Sequence, residues 1–83
     1  MGNRDQNERK FPNWHALENG GRVYWLDIPG KMLWRARYLK EVDAHEQTIR
    51  FWQEIYDAGG FLVEVHEKYP IDLGHKQITE PRS

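Results

Sequence analysis

Three stretches of the chain have the residue types and the alternation of β-strands. Residues 22–28 (RVYWLDI) and 31–42 (KMLWRARYLKEV) flank Pro29-Gly30. This pair suits a tight hairpin turn, because proline presets φ and glycine accepts a positive φ. Residues 61–69 (FLVEVHEKY) alternate apolar and polar side chains, and a short fourth strand is predicted at residues 76–79. The pattern therefore predicts a hairpin followed later by one or two further strands.

A helix is predicted between the second and third strands. Asp43 with Glu46 three residues later forms a capping-box pattern, and Gly59-Gly60 supplies a helix stop. On a 3.6-residue wheel the apolar side chains of this segment gather on one side: Ile49, Trp52, Ile55 and Tyr56. We therefore expect an amphipathic helix from Asp43 to about Ala58.

Together these elements predict an α+β fold of the β-β-α-β type, with an optional fourth strand. A helix that crosses the sheet returns the third strand to the side of the first. The expected sheet is mainly antiparallel, has three to four strands in the order 2-1-3, and carries the helix on one face. The domain should span residues 21–79, after a flexible N-terminal tail over residues 1–20 and before a C-terminal tail over residues 80–83.

One helix covers only one face of a sheet, so the second face needs another explanation. The predicted helix-facing set is dominantly apolar: Val23, Trp25, Met32, Trp34, Ala36, Tyr38, Phe61, Val63 and Val65. The opposite, helix-free face mixes apolar, aromatic and basic residues. Its candidate binding residues are Tyr24, Leu26, Leu33, Arg35, Arg37, Leu62 and His66. A contiguous apolar patch on such a face usually marks an association surface.

Three interpretations of the helix-free face compete. The first is a homodimer interface in a small interaction or regulatory protein, with the three leucines of the set at its centre. The second is a structural cover formed by the N-terminal segment around Phe11 and Trp14. The third is binding of RNA or single-stranded nucleic acid, in which bases stack on Tyr24 and phosphates contact Arg35 and Arg37.

Composition favours the first interpretation over the third. The 83 residues include 12 basic and 13 acidic side chains, for a net charge of -1, whereas dedicated nucleic-acid binders usually carry a positive excess. The sequence has no cysteine, which removes disulfides and thiolate chemistry and fits a cytoplasmic location. No apolar run approaches the ~20 residues that cross a bilayer, and no signal peptide is recognisable, so no membrane partner is expected.

Candidate chemistry is concentrated in HEKYPIDLGH, residues 66–75. If the chain doubles back after Pro70, then His66, Asp72 and His75 could meet as a general acid and base, as in a small toxin-type nuclease. The gap of nine between the histidines does not match the usual spacing of zinc ligands, so neither a metal nor another cofactor is expected. Phosphate-binding and hydrolase motifs are absent from the sequence, which favours a non-enzymatic role.

The stretches WRARYLKEVD, RFWQEIYDAGG and HEKYPIDLGH together resemble a family of small uncharacterised prokaryotic proteins that share a domain of unknown function. The resemblance covers residues 22–78. It implies a compact single domain and carries over no activity, cofactor or catalytic residue.

Overall fold

The described part of the chain forms one short helix and one six-stranded antiparallel sheet. The computed structural model describes residues 4–71 with their side chains, and the backbone of residues 74–77. In chain order the elements are α1 (Arg4–Lys10), β1 (Asn13–Ala16), β2 (Arg22–Pro29), β3 (Arg35–Val42), β4 (Thr48–Tyr56), β5 (Leu62–Tyr69) and β6 (Gly74–Gln77), with a single 3₁₀ turn (Lys31–Leu33) before β3. Each strand pairs with the next, so the sheet order is β1-β2-β3-β4-β5-β6.

The predicted α+β fold with sheet order 2-1-3 is therefore wrong, because the helix predicted over residues 43–58 is a strand. Residues 48–56 form β4, which pairs with β3 on one side and β5 on the other. Six of the nine residues in TIRFWQEIY are β-branched or aromatic, the types that suit a pleated surface. A short apolar run fits both periods, and here pairing with two neighbouring strands decides in favour of the strand.

The capping pattern of the predicted helix belongs to the turn between β3 and β4. The Asp43 side chain accepts hydrogen bonds from the backbone N–H groups of His45 at 2.8 Å and Gln47 at 3.0 Å. An aspartate can accept hydrogen bonds from backbone N–H groups in a turn as well as at a helix start, since both leave such groups unpaired. Asp43 therefore does accept backbone hydrogen bonds, but in a turn and not at the start of a helix.

Three five-residue turns share one backbone design: residues 17–21, 43–47 and 57–61. In each, the first residue donates its N–H to the carbonyl of the fifth and accepts the N–H of the fourth. The fourth residue has a positive φ, 88° at Gly20, 83° at Gly60 and 62° at Glu46. Glycine tolerates this conformation because it lacks Cβ, whereas glutamate is strained in it. Something else must hold Glu46 in place.

The predicted N-terminal tail over residues 1–20 contains two of the elements instead. Phe11, which directly follows α1, is 1% exposed and forms the core with Tyr24 and Val42. Leu26 and Phe51 pack against this cluster. A large ring that finds a complementary surface buries enough apolar area to order the segment that carries it. The N-terminal segment thus docks on the sheet, and β1 extends the sheet beside β2.

The hairpin between β2 and β3 has a longer loop than Pro29-Gly30 predicts. This changes which side chains of β3 share a face with those of β2. Ile28 pairs with Ala36, five positions beyond the Lys31 that a two-residue turn would place opposite it. An odd shift moves every side chain of a strand to the other face. Tyr24 and Leu26 consequently share a face with residues 38 and 40 of β3, and the two candidate arginines occupy the opposite face.

We call the face against which α1 packs the helix side, which carries Tyr24, Leu26, Tyr38, Lys40 and Phe51. The opposite face is the open side, which carries Trp25, Arg37, Trp52, Glu54 and Tyr56. The predicted strands at 22–28 and 61–69 are confirmed as β2 and β5, and the optional fourth strand corresponds to β6 at residues 74–77. Residues 78–83, including the predicted C-terminal tail, lie outside the described residues.

Candidate functional site

The strained Glu46 is held by a buried hydrogen-bond network that ties α1 to the sheet. Its carboxylate accepts hydrogen bonds from Asn7 Nδ2 at 3.0 Å, from Tyr24 Oη at 2.9 Å and from Arg4 Nε at 3.1 Å. Asn7 and Arg4 belong to α1, whereas Tyr24 lies on β2. Charge-assisted bonds of this kind are roughly twice as strong as neutral ones. Glu46 therefore joins the helix, a strand and a turn.

The protonation of Glu46 reflects the same contacts. Burial alone would raise the pKa of the carboxyl, but the hydrogen bonds from Asn7, Tyr24 and Arg4 outweigh burial and hold the pKa below its ordinary value. The ionised form is thus the one that the network binds. A second ion pair between α1 and the sheet, from Arg22 Nη1 to Glu8 at 2.8 Å, lies at the surface.

A cleft of about 640 Å³ opens on the helix side between the end of α1 and strands β3 to β5. Its described lining residues are Lys10, Phe11, Lys40, Gln47, Thr48, Phe51 and Tyr69. A smaller apolar groove of about 250 Å³ shares Lys10, Phe11 and Phe51 and continues along the helix side toward Ile28. The main cleft lies within the ~300 to 1,000 Å³ typical of ligand sites.

Two lysines, Lys10 and Lys40, line this cleft, and neither has a carboxylate partner among the described residues. Lys40 is half-buried and donates from Nζ to Asn7 Oδ1 at 2.9 Å, a neutral acceptor, and Asn7 in turn donates to Glu46. Burial and then the positive charge of Lys10 lower the pKa of Lys40, while the negative charge of Glu46 opposes them. Neither lysine forms an ion pair with a described residue, so both lysine charges are available to a ligand. A bound anion would remove their mutual repulsion.

Aromatic rings continue from the cleft across the helix side. The rings of Tyr38 and Phe51 lie in a stacked arrangement with centroids 6.5 Å apart. Lys68 places its ammonium 5.7 Å from the Tyr38 centroid, and Gln53 donates to the Tyr38 hydroxyl at 3.2 Å. At the cleft edge Tyr69 is half-exposed. Lysines and partly exposed rings thus alternate over one face.

The open side is also rich in rings and cations, but two of its arginines, Arg37 and Arg50, are paired with carboxylates. Arg37 makes a bidentate contact with Asp27, at 2.7 and 3.0 Å, and lies 5.8 Å from the ring centroids of Trp25 and Tyr56. The hydrogen bond and charge of Arg37 lower the pKa of Asp27 despite its partial burial. Arg50 pairs with Glu67 at the other end of this face.

A carboxylate also holds the rings of the open side in place. Glu54 accepts hydrogen bonds from Trp52 Nε1 at 3.0 Å and from the Tyr56 hydroxyl at 2.6 Å. Burial, followed by this hydrogen bond, raises the pKa of Tyr56 to about 12, so the hydroxyl remains a donor. Arg37 and Arg50 already face carboxylates, and Arg35, whose guanidinium lies 4.7 Å from the Tyr56 ring centroid, has no carboxylate partner among the described residues. The open side therefore offers a phosphate less free positive charge than the two lysines of the cleft do.

The structure does not bring the seven predicted binding residues onto one surface. Tyr24 is fully buried beneath α1, and Leu26 packs against the core next to it. Of the other five, Arg35, Arg37 and Leu62 have register positions on the open side, Leu33 lies in the β2–β3 loop, and His66, half-buried on β5, has a register position on the helix side. The three leucines on which the homodimer interpretation rests therefore face three directions, and the homodimer stays a prediction.

The chain does double back after Pro70, as the acid–base interpretation requires. In the β5–β6 pair His66 and His75 are direct register partners. On the opposite flank of β5, His66 pairs with Gln53, which contacts Tyr38 on the helix side. Asp72 lies outside the described residues. Among the described residues no cluster of three or more histidine, aspartate or glutamate side chains could hold a metal ion.

Sequence reasoning missed the residues that form the cleft. The sequence pattern predicts a tail around Lys10 and a helix around Phe51, so it assigns neither residue to a face of the sheet. The available signal was the alternation in residues 48–56, which places Phe51 and Gln53 on one face of a strand and Trp52 and Glu54 on the other. Lys40 could then be assigned beside Phe51 only from the true hairpin register.

Comparison with protein-family models, with curated proteins and with solved structures finds no match to the chain. The resemblance to an uncharacterised prokaryotic family stays a prediction. No helix among the described residues combines the length and the apolar character needed to span a membrane. The function has to be inferred from the shape and charge of the helix-side cleft itself.

Proposed function

We propose that the protein binds single-stranded nucleic acid in the helix-side cleft. One observation carries the proposal: Lys10 and Lys40 share a cleft with the accessible rings of Phe51 and Tyr69, and no carboxylate is among its described lining residues. Phosphates would contact the two lysines, and bases would stack on the rings. Because neither lysine is paired with an acid among the described residues, this local positive charge is compatible with a net charge of -1.

The polar residues of the cleft support a strand rather than a duplex. Gln47 and Thr48 line the cleft beside the rings. They offer hydrogen-bond donors and acceptors to the Watson–Crick edges of bases, which only an unpaired strand exposes. Tyr38 and Lys68 extend the surface toward β5, which provides a path for further nucleotides. A cytoplasmic location, in line with the cysteine-free sequence, would place the protein with RNA.

The first experiment measures binding of fluorescein-labelled oligouridine and oligothymidine decamers by anisotropy at low salt. We expect the double variant Lys10→Gln with Lys40→Gln to weaken binding at least about tenfold and to reduce the salt slope by roughly 1.4, since each phosphate contact on a single strand contributes about 0.7. The matched control, Arg9→Gln with Lys31→Gln, removes two charges outside the cleft and should bind like the parent protein.

Equal loss of affinity in the two double variants would reduce the interaction to net charge and contradict a cleft site. Absence of binding by the parent protein at low salt would end the proposal altogether. Circular dichroism on each variant excludes loss of the fold as the cause, because glutamine at position 40 can still donate to Asn7.

A second candidate function, cleavage of RNA, is favoured by the direct pairing of His66 with His75. One imidazole would take the proton of the ribose 2′-hydroxyl as this oxygen attacks phosphorus, and the other would protonate the departing 5′-oxygen. We expect oligouridine to be cleaved to a 2′,3′-cyclic phosphate, oligothymidine to survive, and His66→Ala to abolish cleavage while binding persists. His15→Ala, on the outer strand β1, is the control. Undiminished cleavage by His66→Ala would contradict this role.

A further inference from the structure

The loop between β2 and β3 presents the most exposed large apolar side chains of the described chain. Met32 is 86% exposed, Leu33 is 84% exposed and the adjoining Trp34 is 44% exposed. We call residues 31–34 the hairpin tip. Its closing hydrogen bonds run from Gly30 N–H to the Trp34 carbonyl at 2.7 Å and from Trp34 N–H to the Lys31 carbonyl at 3.0 Å.

The backbone of the hairpin tip is strained at the two residues whose apolar side chains are the most exposed. Met32 and Leu33 have φ values of 56° and 68°, consecutive left-handed residues neither of which is glycine. Such conformations cost free energy and concentrate at functional positions. Burial of these side chains within the protein does not offset the free energy of strain, since both are almost fully exposed.

Further apolar surface lies at the same end of the sheet. Arg35 pairs with Tyr56, so the hairpin tip and the turn at residues 57–61 are neighbours. Phe61, in that turn, is 48% exposed, and Ile28, at the end of β2, is 45% exposed. The tip is therefore the centre of an apolar end of the molecule.

Positive charge accompanies these side chains. Lys31 is exposed within the tip and Arg35 follows it at the start of β3. The nearby Asp27 is neutralised by its bidentate contact with Arg37. Apolar residues at an exposed point, a tryptophan behind them and cations beside them are the combination that suits the boundary of an anionic bilayer.

The tip and the helix-side cleft lie at opposite ends of the sheet. The cleft is lined by Gln47, Thr48 and Tyr69, at the opposite end of the sheet from the tip. The eight residues of β3 that separate the two ends span roughly 26 Å at about 3.3 Å per residue. The tip is thus a surface separate from the cleft.

We propose that the hairpin tip inserts into the surface of a lipid bilayer that contains anionic lipids. Met32 and Leu33 enter the acyl boundary, Trp34 lies at the level of the headgroups, and Lys31 contacts lipid phosphate or carboxylate. The cytoplasmic leaflet carries such lipids. The inference is independent of the function proposed for the cleft.

The test is flotation of the full chain with vesicles of phosphatidylcholine containing about 30% phosphatidylserine, beside vesicles of phosphatidylcholine alone. We expect binding to the anionic vesicles and at least about a tenfold loss in Leu33→Gly, because the loss of one inserted side chain removes most of the small apolar contact. Glycine suits the positive φ of this position, so the variant should fold. Ile71→Gly, which removes an exposed side chain outside the tip, should bind like the parent protein.

Failure of the parent protein to float with anionic vesicles would overturn the proposal, as would equal binding by Leu33→Gly. A concentration-dependent dimer that disappears in Leu33→Gly, without vesicle binding, would also overturn it and assign the tip to a second copy of the chain. Oligonucleotide binding by the cleft should be unchanged in Leu33→Gly, which separates this outcome from that of the proposed function.

Discussion

Replacing Glu46 with glycine should lower the free energy of unfolding by about 3 kcal/mol, the low end of what its three hydrogen bonds allow, although glycine is the residue that its backbone prefers. The substitution relieves a left-handed conformation worth roughly 1 to 2 kcal/mol. It also removes the carboxylate that accepts from Asn7, Tyr24 and Arg4, and hydrogen bonds to a charged group are worth about 1.5 to 3 kcal/mol each. The lost network outweighs the relieved strain. Urea unfolding followed by circular dichroism measures the difference.

The control for this prediction is Leu33→Gly, which has nearly the same φ but no buried contacts. It should leave stability unchanged or raise it by up to about 1 kcal/mol. A stability gain in Glu46→Gly similar to that of Leu33→Gly would show that the network contributes less than the strain, and the role assigned to Glu46 would be wrong.

The Glu46 carboxyl also makes the free energy of unfolding of the parent protein depend on pH. Because folding lowers the pKa of Glu46, its contribution to stability is present above the ordinary value of 4.5 and is lost as the pH falls through that value toward the lowered pKa. Asp27 and Glu67 are shifted in the same direction by Arg37 and Arg50. The slope of unfolding free energy between pH 6 and pH 3 should therefore be shallower in Glu46→Gly, without vanishing.

Truncation of Phe11 to alanine should have the largest effect on stability, a loss of about 3 to 4 kcal/mol. The ring is 1% exposed and lies 6.0 Å from the ring of Tyr24, centroid to centroid, with Val42 completing the cluster. Its removal leaves a cavity between α1 and the sheet. Because the ring also lines the cleft, oligonucleotide binding should weaken along with stability.

Phe61→Ala is the matched control, since this ring is half-exposed in the turn between β4 and β5. We expect it to cost under about 1 kcal/mol. Equal losses in the two variants, measured by urea unfolding, would contradict a core centred beneath α1. Retention of the α1 amide signals at their parent positions in Phe11→Ala would contradict it as well.

The strands that the sequence predicts correctly are those in which composition and turns agree. Residues 22–28 and 61–69 are β-branched, aromatic and bounded by glycine or proline. Residues 48–56 satisfy the helical period as well as the strand period, and only pairing with β3 and β5 distinguishes the two. Local pattern does not contain that long-range information.

The cleft cannot be predicted from the sequence because it, too, depends on contacts between distant parts of the chain. It depends on the five-residue shift in the hairpin register and on Asn7, whose burial under α1 links Lys40 to Glu46. Nothing in the polar stretch that surrounds Asn7 distinguishes it from a solvated residue. The sequence indicates the basic and aromatic residue types that nucleic acid needs, but it points to Arg35 and Arg37 for the role that we propose for Lys10 and Lys40.

The most direct measurement of the central claim is photo-cross-linking of an oligouridine decamer that carries 4-thiouridine, with the adducts located by tandem mass spectrometry. The two sides of the sheet alternate along β4, so adjacent residues report opposite faces. We predict adducts on Phe51 and Tyr69, at the helix-side cleft. Adducts on Trp52, Tyr56 or Trp25 in their place would put the strand on the open side and contradict the account.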